Sequence, residues 1–175
     1  KRLAYSTVSQ VSYILLGMAL MNPLALTGSL LHILFHAVIK SALFMSAGAV
    51  IYKCGAERVD EMRGMGKKMP TIMWCYTLCS LALIGIPPAS GFISKWYLAT
   101  GSLATGIPVV SWLGPVVLLV SALLTAGYLL PISIDGFFPG PEFDYQNLEK
   151  KDPTKQLLVP IMILAALAVL FGVFP

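Results

Sequence analysis

Long apolar stretches separated by short polar segments divide this chain. A helix that crosses a bilayer needs about 20 consecutive apolar residues, and most of the stretches reach or approach that length. The pattern therefore predicts an all-α fold, a polytopic transmembrane helix bundle. The predicted spans are residues 3–20, 24–52, 69–86, 92–104 and 108–134, followed by a final transmembrane helix at 156–175.

The polar segments indicate where the chain leaves the membrane. A Met-Asn-Pro turn at 21–23 separates the first two spans, and a charged connector follows at 53–68. A second charged loop, rich in proline, runs from 135 to 155. We therefore divide the chain into the helical region 1–134, this loop and the final helix.

Composition supports a membrane location. Of the 175 residues, 57% are apolar and only 11% are charged, whereas a soluble domain averages about 25% charged residues. Soluble nucleotide-binding, barrel and nucleic-acid-binding folds are thereby excluded. All charged residues but two lysines lie in termini and loops, where basic residues anchor helices, so we expect lipid and no nucleic acid as a partner despite the net charge of +4. The chain lacks an initiator Met and reads as a piece of a longer protein.

The third predicted span ends at a helix break. The prolines at positions 87 and 88 remove backbone donors, and the next segment, 92–104, covers only about 20 Å as a helix. Non-helical backbone within the hydrocarbon is tolerated only when it is buried in protein or lines a water-filled cavity. We therefore predict a broken helix beside an internal polar cavity. Its predicted residues are Gly85, Pro87, Pro88, Ser90, Gly91 and Ser94.

Two lysines lie within the predicted spans, Lys40 and Lys95. A lysine at mid-bilayer costs about 2.5–3.5 kcal/mol on insertion scales, so such residues are rare and usually functional. The freed carbonyls, amides and serines of the break are suited to hold the Lys95 ammonium. The alternatives are that Lys40 snorkels from near a helix end and that Lys95 lies in the membrane interface.

A polar column precedes Lys40 on the same predicted helix. His32, His36 and Lys40 are spaced four residues apart and therefore share one helix face. Imidazole takes up and releases protons near neutral pH, and burial can bring a lysine into that range. We interpret Lys40, His36, His32 and Lys95 as a proton relay. The alternatives are structural histidines or a zinc pair, although Ile33 stands where zinc proteases carry glutamate.

The remaining polar groups favour packing over chemistry. The first span carries uncharged polar residues, which in membrane helices usually bond to backbone or to a neighbouring helix, with cavity lining as the alternative. These residues are Ser6, Thr7, Ser9, Gln10, Ser12 and Tyr13. The three cysteines read as small packing residues. The sequence offers no ligand set for haem or iron–sulfur, no phosphate loop and no catalytic triad, so we expect neither a cofactor nor a metal in this chain.

Four strings occur in the order found in one family of membrane subunits. They are residues 1–10, the His-x-x-x-His-Ala-x-x-Lys pattern at 32–40, the Gly-Lys-Lys-Met-Pro string at 66–70, and residues 85–95. On these strings the chain resembles the antiporter-like subunits of respiratory complex I (NADH-quinone oxidoreductase), membrane-bound hydrogenases and multisubunit cation/proton antiporters. The resemblance covers about the first 100 residues.

The resemblance implies a core of two inverted five-helix repeats, of which residues 1–134 form the second. It makes Lys40 the central lysine of a proton path, Lys95 its terminal lysine on the broken helix, and His32 and His36 the connecting histidines. It also implies partner membrane subunits in the inner membrane of a prokaryotic cell. The orientation stays open: the positive-inside rule puts the 53–68 connector in the cytoplasm, whereas the family's helix count puts it outside.

The function expected on these grounds is proton translocation, with the driving energy supplied by partner subunits. Two alternatives remain. One is a subunit of an antiporter that exchanges sodium or potassium for protons, since a lysine relay does not identify the exchanged ion. The other is a structural membrane scaffold whose lysines only anchor neighbouring subunits.

Overall fold

The computed structural model describes residues 2–140, 143 and 153–174, and every regular element in this part is helical. The prediction of an all-α polytopic helix bundle is confirmed. The α-helices are α1 (Arg2–Ala19), α2 (Pro23–Cys54), α3 (Met65–Lys68), α4 (Pro70–Ile84), α5 (Ser90–Leu103), α6 (Pro108–Phe137) and α7 (Lys155–Val173), with a 3₁₀ turn at Val59–Met62.

Three of the described helices, α2, α6 and α7, are long and apolar enough to cross a membrane. Helix α1 has 18 residues, but serines and a glutamine make it more polar than these. Helices α4 and α5 have 15 and 14 residues, which correspond to about 22 and 21 Å. The chain therefore combines full-length apolar helices with two short ones on either side of the break.

Local sequence signals set both ends of α2 and the first residues of α4 and α6. The side-chain oxygen of Asn22 accepts a hydrogen bond from the amide of Ala25 at 2.8 Å, which caps the first turn. Gly55 ends the helix in the left-handed conformation, with φ of 67°. Proline stands at the first position of α2, α4 and α6, where its missing amide donor costs nothing.

Helix α2 lies at the centre of the bundle and contacts α1, α4, α5 and α7. Its approach to α5 is close: a Cβ on Gly101 would lie 2.6 Å from the backbone nitrogen of Ala25. Small residues allow membrane helices to meet at backbone distance in this way. The core beneath is apolar and includes the buried side chains of Ile39, Leu43, Ile72, Met73, Leu83, Leu129 and Ile161.

The connector at 53–68 is folded rather than extended. It contains the 3₁₀ turn and α3, and the amide of Gly64 donates to the carbonyl of Asp135 at 3.1 Å, near the end of α6. Helix α6 continues to Phe137, so the predicted loop at 135–155 begins within it; residues 141–142 and 144–152 of that loop lie outside the described residues. Cys75 and Cys79 are buried free thiols within α4.

Candidate functional site

Lys95 lies near the start of α5 with 8% of its surface exposed. Its Nζ donates hydrogen bonds to the carbonyl oxygens of Leu83 and Ile84, each at 2.8 Å. These carbonyls belong to the last turn of α4, where carbonyls lack helical partners and carry partial negative charge. The broken helix thus holds the ammonium through backbone carbonyls, which the sequence analysis named among the groups suited to hold it.

Two glycines at the break allow the backbone to lie close to Lys95 and to the last turns of α4. Gly85 ends α4 with φ of 95°, and a Cβ there would lie 3.1 Å from Cδ of Lys95. A Cβ on Gly91 would lie 1.9 Å from the carbonyl oxygen of Ala82, so the first turn of α5 rests directly on α4. Glycine at these positions leaves room for the lysine and for the helix contact.

The other four residues predicted to line a cavity at the break are divided between different surroundings. Pro87 and Pro88 are exposed, and the buried Ser90 hydroxyl has no hydrogen-bond partner among the described residues. Ser94 contacts a histidine of α2 rather than the lysine. The predicted set therefore does not form one common lining around the Lys95 ammonium.

His32 of α2 is buried between α1 and α5, and both of its ring nitrogens have partners. Nδ1 lies 2.9 Å from Oγ of Ser94, and Nε2 lies 3.1 Å from Oε1 of Gln10. The ring of Tyr13 meets the imidazole edge-on, with the centroids 5.5 Å apart. This histidine consequently connects α5 to α1 through hydrogen bonds.

His36 and Lys40 continue the column along α2. The rings of His32 and His36 are parallel, with centroids 6.1 Å apart. Nε2 of His36 is buried without a hydrogen-bond partner among the described residues. Lys40 is 5% exposed, and its Nζ donates to the carbonyl oxygen of Leu3 in α1 at 2.9 Å. The structure thus places all three side chains on the side of α2 that faces α1.

The four titratable groups of the site, Lys40, His36, His32 and Lys95, follow one another along α2 and into α5. The rings of His32 and His36 are stacked, Lys40 follows His36 one turn further along α2, and His32 contacts Ser94, which precedes Lys95 in α5. A positive charge on one member therefore disfavours a positive charge on the next.

For Gln10 and Tyr13 the sequence predicts packing, with cavity lining as the alternative, and the structure places both residues at the site. Gln10 binds His32, and the ring of Tyr13 lies 5.5 Å from Nζ of Lys95 as well as against the histidine. The signal that identifies them is the spacing of the buried α1 residues Ser6, Gln10, Tyr13 and Gly17, which defines a single helix face. On that face, Gln10 and the ring of Tyr13 meet the polar column of α2, whereas Ser6 contacts α6.

Other hydroxyl groups of α1 do pack as expected. Tyr128 on α6 donates to Oγ of Ser6 at 2.5 Å, and Tyr13 donates to Ser121 on the same helix. Thr7 and Ser12 bond back to carbonyls of their own helix. Interhelical hydroxyl contacts therefore hold α1 against α6.

Within the described residues, no acidic partner lies near this site, and no set of side chains there is able to hold a metal ion. In that part of the chain the salt bridge is an exposed one, between Arg58 and Asp60 at 3.7 Å, and neither buried lysine contacts a carboxylate. The described ranges contain no group of three or more histidine, cysteine or acidic residues able to hold a metal ion. The charges of the site are cationic or neutral.

Comparison with known proteins assigns the chain to a family. Residues 1–125 match the model of the family described as NADH:quinone oxidoreductase/Mrp antiporter, TM. The chain belongs to this family. The likeness extends beyond the first 100 residues on which the sequence resemblance depended, and members of this antiporter-like family are integral membrane subunits, in agreement with the apolar helices.

Relatives and a solved structure show how far the likeness reaches. The chain is 40% identical to NADH-quinone oxidoreductase subunit N of Desulforudis audaxviator, covering 99% of this chain and 36% of that protein. It is 34% identical to a Na(+)/H(+) antiporter subunit of Bacillus subtilis, covering 98% and 34%. A chain in the Mrp complex of Dietzia sp. shares the fold, with a TM-score of 0.84 and 24% identity, over 98% of this chain and 39% of that one. The antiporter-like chain thus spans about a third of the length of these curated relatives.

Proposed function

We propose that this antiporter-like chain conducts protons within a membrane complex, through the row Lys40, His36, His32 and Lys95. The observation that carries the proposal is that these four buried or half-buried titratable groups lie along α2 and the start of α5, with the rings of His32 and His36 stacked and Nδ1 of His32 2.9 Å from Oγ of Ser94. Each end of the row is a lysine held by backbone carbonyls, and the middle consists of two imidazoles. Lysine stores a proton at either end, and imidazole passes it between them.

The contacts of the lysines favour transport over a purely structural role. An anchoring lysine is expected to pair with a carboxylate, because an unpaired buried charge is strongly destabilising. Lys40 and Lys95 instead donate to neutral carbonyls of Leu3, Leu83 and Ile84. A lysine in such surroundings can lose its proton without leaving a buried, unpaired negative charge behind.

The same contacts favour the proton over sodium as the conducted ion. A sodium ion within a membrane needs several oxygen ligands, such as the carbonyls of a broken helix, and here the carbonyls of Leu83 and Ile84 already accept from Lys95. The buried charged residues of the described chain are Lys40 and Lys95, and no buried carboxylate accompanies them there. Cationic side chains repel a sodium ion, whereas they are themselves carriers of protons.

The proposal includes partners and excludes a redox role for this chain. Relatives are named as subunits of NADH-quinone oxidoreductase and of a sodium/proton antiporter, so we propose that other membrane subunits surround this chain and supply the driving energy. The proposed location is the inner membrane of a prokaryotic cell. No cofactor is assigned to this chain, and its residues act by holding and passing protons.

The test uses everted membrane vesicles that contain the complete complex with the full-length subunit. Proton uptake is followed by quenching of an acridine dye while the complex works on its own electron donor or, if it is an antiporter, on an imposed ion gradient. The variants are Lys40→Met and Lys95→Met, with Lys53→Met as the matched control. Lys53 lies in the last turn of α2, where its Nζ is 5.8 Å from the centre of the Tyr52 ring.

Both relay variants are expected to lower proton uptake by about a hundredfold or more, the usual contribution of an acid–base group, while the complex still assembles. The Lys53 control is expected to pump at the normal rate. Normal pumping by both relay variants would refute the relay. Assembly is measured separately by native gel electrophoresis, so that a missing complex is not counted as lost transport.

A further inference from the structure

Gln10 is the one side chain of α1 whose hydrogen bond reaches an imidazole of the proposed relay among the described residues. It is fully buried, and its Oε1 lies 3.1 Å from Nε2 of His32. On the other side of the ring, Nδ1 of His32 lies 2.9 Å from Oγ of Ser94. The amide nitrogen of Gln10 has no hydrogen-bond partner among the described residues. Gln10 thus offers an acceptor to the histidine and keeps a buried donor unused.

The chemistry of these contacts distinguishes the two neutral forms of His32. A neutral imidazole carries its hydrogen on one nitrogen and accepts on the other. Because an amide oxygen only accepts, it stabilises the form that carries hydrogen on Nε2. Nδ1 is then the acceptor, and the single hydroxyl hydrogen of Ser94 turns to it, at 2.9 Å, rather than to the carbonyl oxygen of Gly91 at 3.2 Å. If the amide turned by 180°, its NH₂ group would meet Nε2 and favour the opposite form.

We propose that Gln10 is a positioning residue that sets the tautomer of His32, so that Nδ1 is the nitrogen that receives a proton from the α5 side. The proposal rests on the relay proposed above. It explains why a side chain with an unused donor is kept fully buried beside the ring. It also gives Gln10, a residue of α1, a role in proton transport, whereas the packing interpretation gives it only a structural one.

The proton balance shows why the tautomer matters. In the proposed relay, the ammonium of Lys95 gives a proton to Nδ1 of His32 and becomes a neutral amine, while His32 becomes an imidazolium with both nitrogens protonated. When the proton returns from Nδ1 to the amine, the ring is again neutral with hydrogen on Nε2, and Nδ1 can accept once more. A neutral ring with hydrogen on Nδ1 has no acceptor on that side. The amide oxygen of Gln10 holds the hydrogen on Nε2 and so keeps the ring in the receptive form.

The test is nitrogen-15 solid-state NMR of the full-length subunit in lipid, with histidine labelled in the imidazole ring. The chemical shift of each ring nitrogen reports whether it carries hydrogen, and the His32 signals are identified by their loss in His32→Ala. The variant is Gln10→Met, which keeps the side-chain length and removes the amide. Ser29→Ala is the matched control, because Ser29 is also buried between α2 and α1 and donates to the carbonyl of Ile14 at 3.1 Å.

Gln10→Met is expected to lower the ratio of the Nε2–H to the Nδ1–H form by about three- to tenfold, the factor that corresponds to one hydrogen bond. Proton uptake by the assembled complex is expected to fall with it. Ser29→Ala is expected to leave the ratio unchanged. An unchanged ratio in Gln10→Met, or an equal change in Ser29→Ala, overturns the proposal.

A second variant keeps the test decisive if Gln10→Met does not assemble. Ser94→Ala removes the partner of Nδ1 and leaves the acceptor on Nε2, so the Nε2–H form is expected to persist. A switch to the Nδ1–H form would show that Ser94, and not Gln10, sets the tautomer. Failure of the relay itself is recognised separately, because His32→Ala and Lys95→Met would then pump normally whatever the tautomer ratio shows.

Discussion

The side-chain nitrogen of Lys95 lies 2.8 Å from the carbonyl oxygen of Leu83, at the end of the helix that precedes its own. The relationship joins the two helices on either side of the break through an ionisable side chain. A carbonyl accepts from an ammonium and also from a neutral amine, whereas a carboxylate would hold the charged form strongly. The contact therefore positions the lysine in both of its protonation states.

This view predicts that charge alone does not replace Lys95. Arginine keeps a positive charge and remains protonated at every physiological pH. Lys95→Arg is therefore expected to reduce proton uptake by about a hundredfold, as loss of an acid–base group does, in a complex that assembles. The measurement is dye quenching in everted vesicles, with Lys53→Arg as the control. A structural scaffold would instead need only the charge, so normal pumping by assembled Lys95→Arg supports the scaffold.

A second prediction concerns the backbone at the break. Gly85 has φ of 95°, and a Cβ there would lie 3.1 Å from Lys95 Cδ. An alanine in a left-handed conformation costs about 1–2 kcal/mol, so Gly85→Ala is expected to lower the melting temperature of the purified complex. Gly127→Ala is the control, because a Cβ on this α6 glycine meets nothing within 4 Å. Equal melting temperatures for the two variants would show that the break tolerates a side chain.

The hydroxyl contact between α6 and α1 gives a third prediction. Tyr128 donates to Ser6 at 2.5 Å, and interhelical hydrogen bonds in membranes contribute about 0.6–1.7 kcal/mol. Tyr128→Phe is expected to destabilise the complex by an amount in that range, measured by its unfolding in denaturing detergent. Tyr5→Phe, at an exposed tyrosine on α1, is expected to have no effect. The idea fails if both phenylalanine variants unfold at the same detergent concentration.

Much of this architecture is visible in the sequence because the rules involved are local. Gly85 followed closely by two prolines is a recognisable end of a helix, and a 32-residue apolar helix such as Pro23–Cys54 is identified by composition. The positions of Lys40 and Lys95 within apolar stretches identify them as unusual, since exposure to hydrocarbon is costly for either. These inferences need no knowledge of which helices are neighbours.

The contacts inside the site depend on helix neighbours and could not be predicted in the same way. His32 meets Gln10 and Ser94, which are 22 and 62 positions away along the chain. The spacing of the histidines predicts that they share a helix face, but it does not say what that face contacts. The polar character of Gln10 and Tyr13 is visible in the sequence, whereas their contact with the relay depends on how α1 packs against α2 and α5.

The last prediction concerns the ion that moves. The buried charges of the described chain are two lysines without a buried carboxylate among the same residues, and the proposed relay uses them to hold protons rather than sodium. Everted vesicles are therefore expected to take up protons at the same rate in sodium-free and sodium-containing media when the complex is driven by its electron donor. Radioactive sodium uptake, measured in parallel, is expected to stay at the level of Lys95→Met vesicles. Sodium uptake that exceeds this level and disappears in Lys95→Met would instead make this lysine part of a sodium pathway, because a proton relay alone gives no reason for the two to depend on each other.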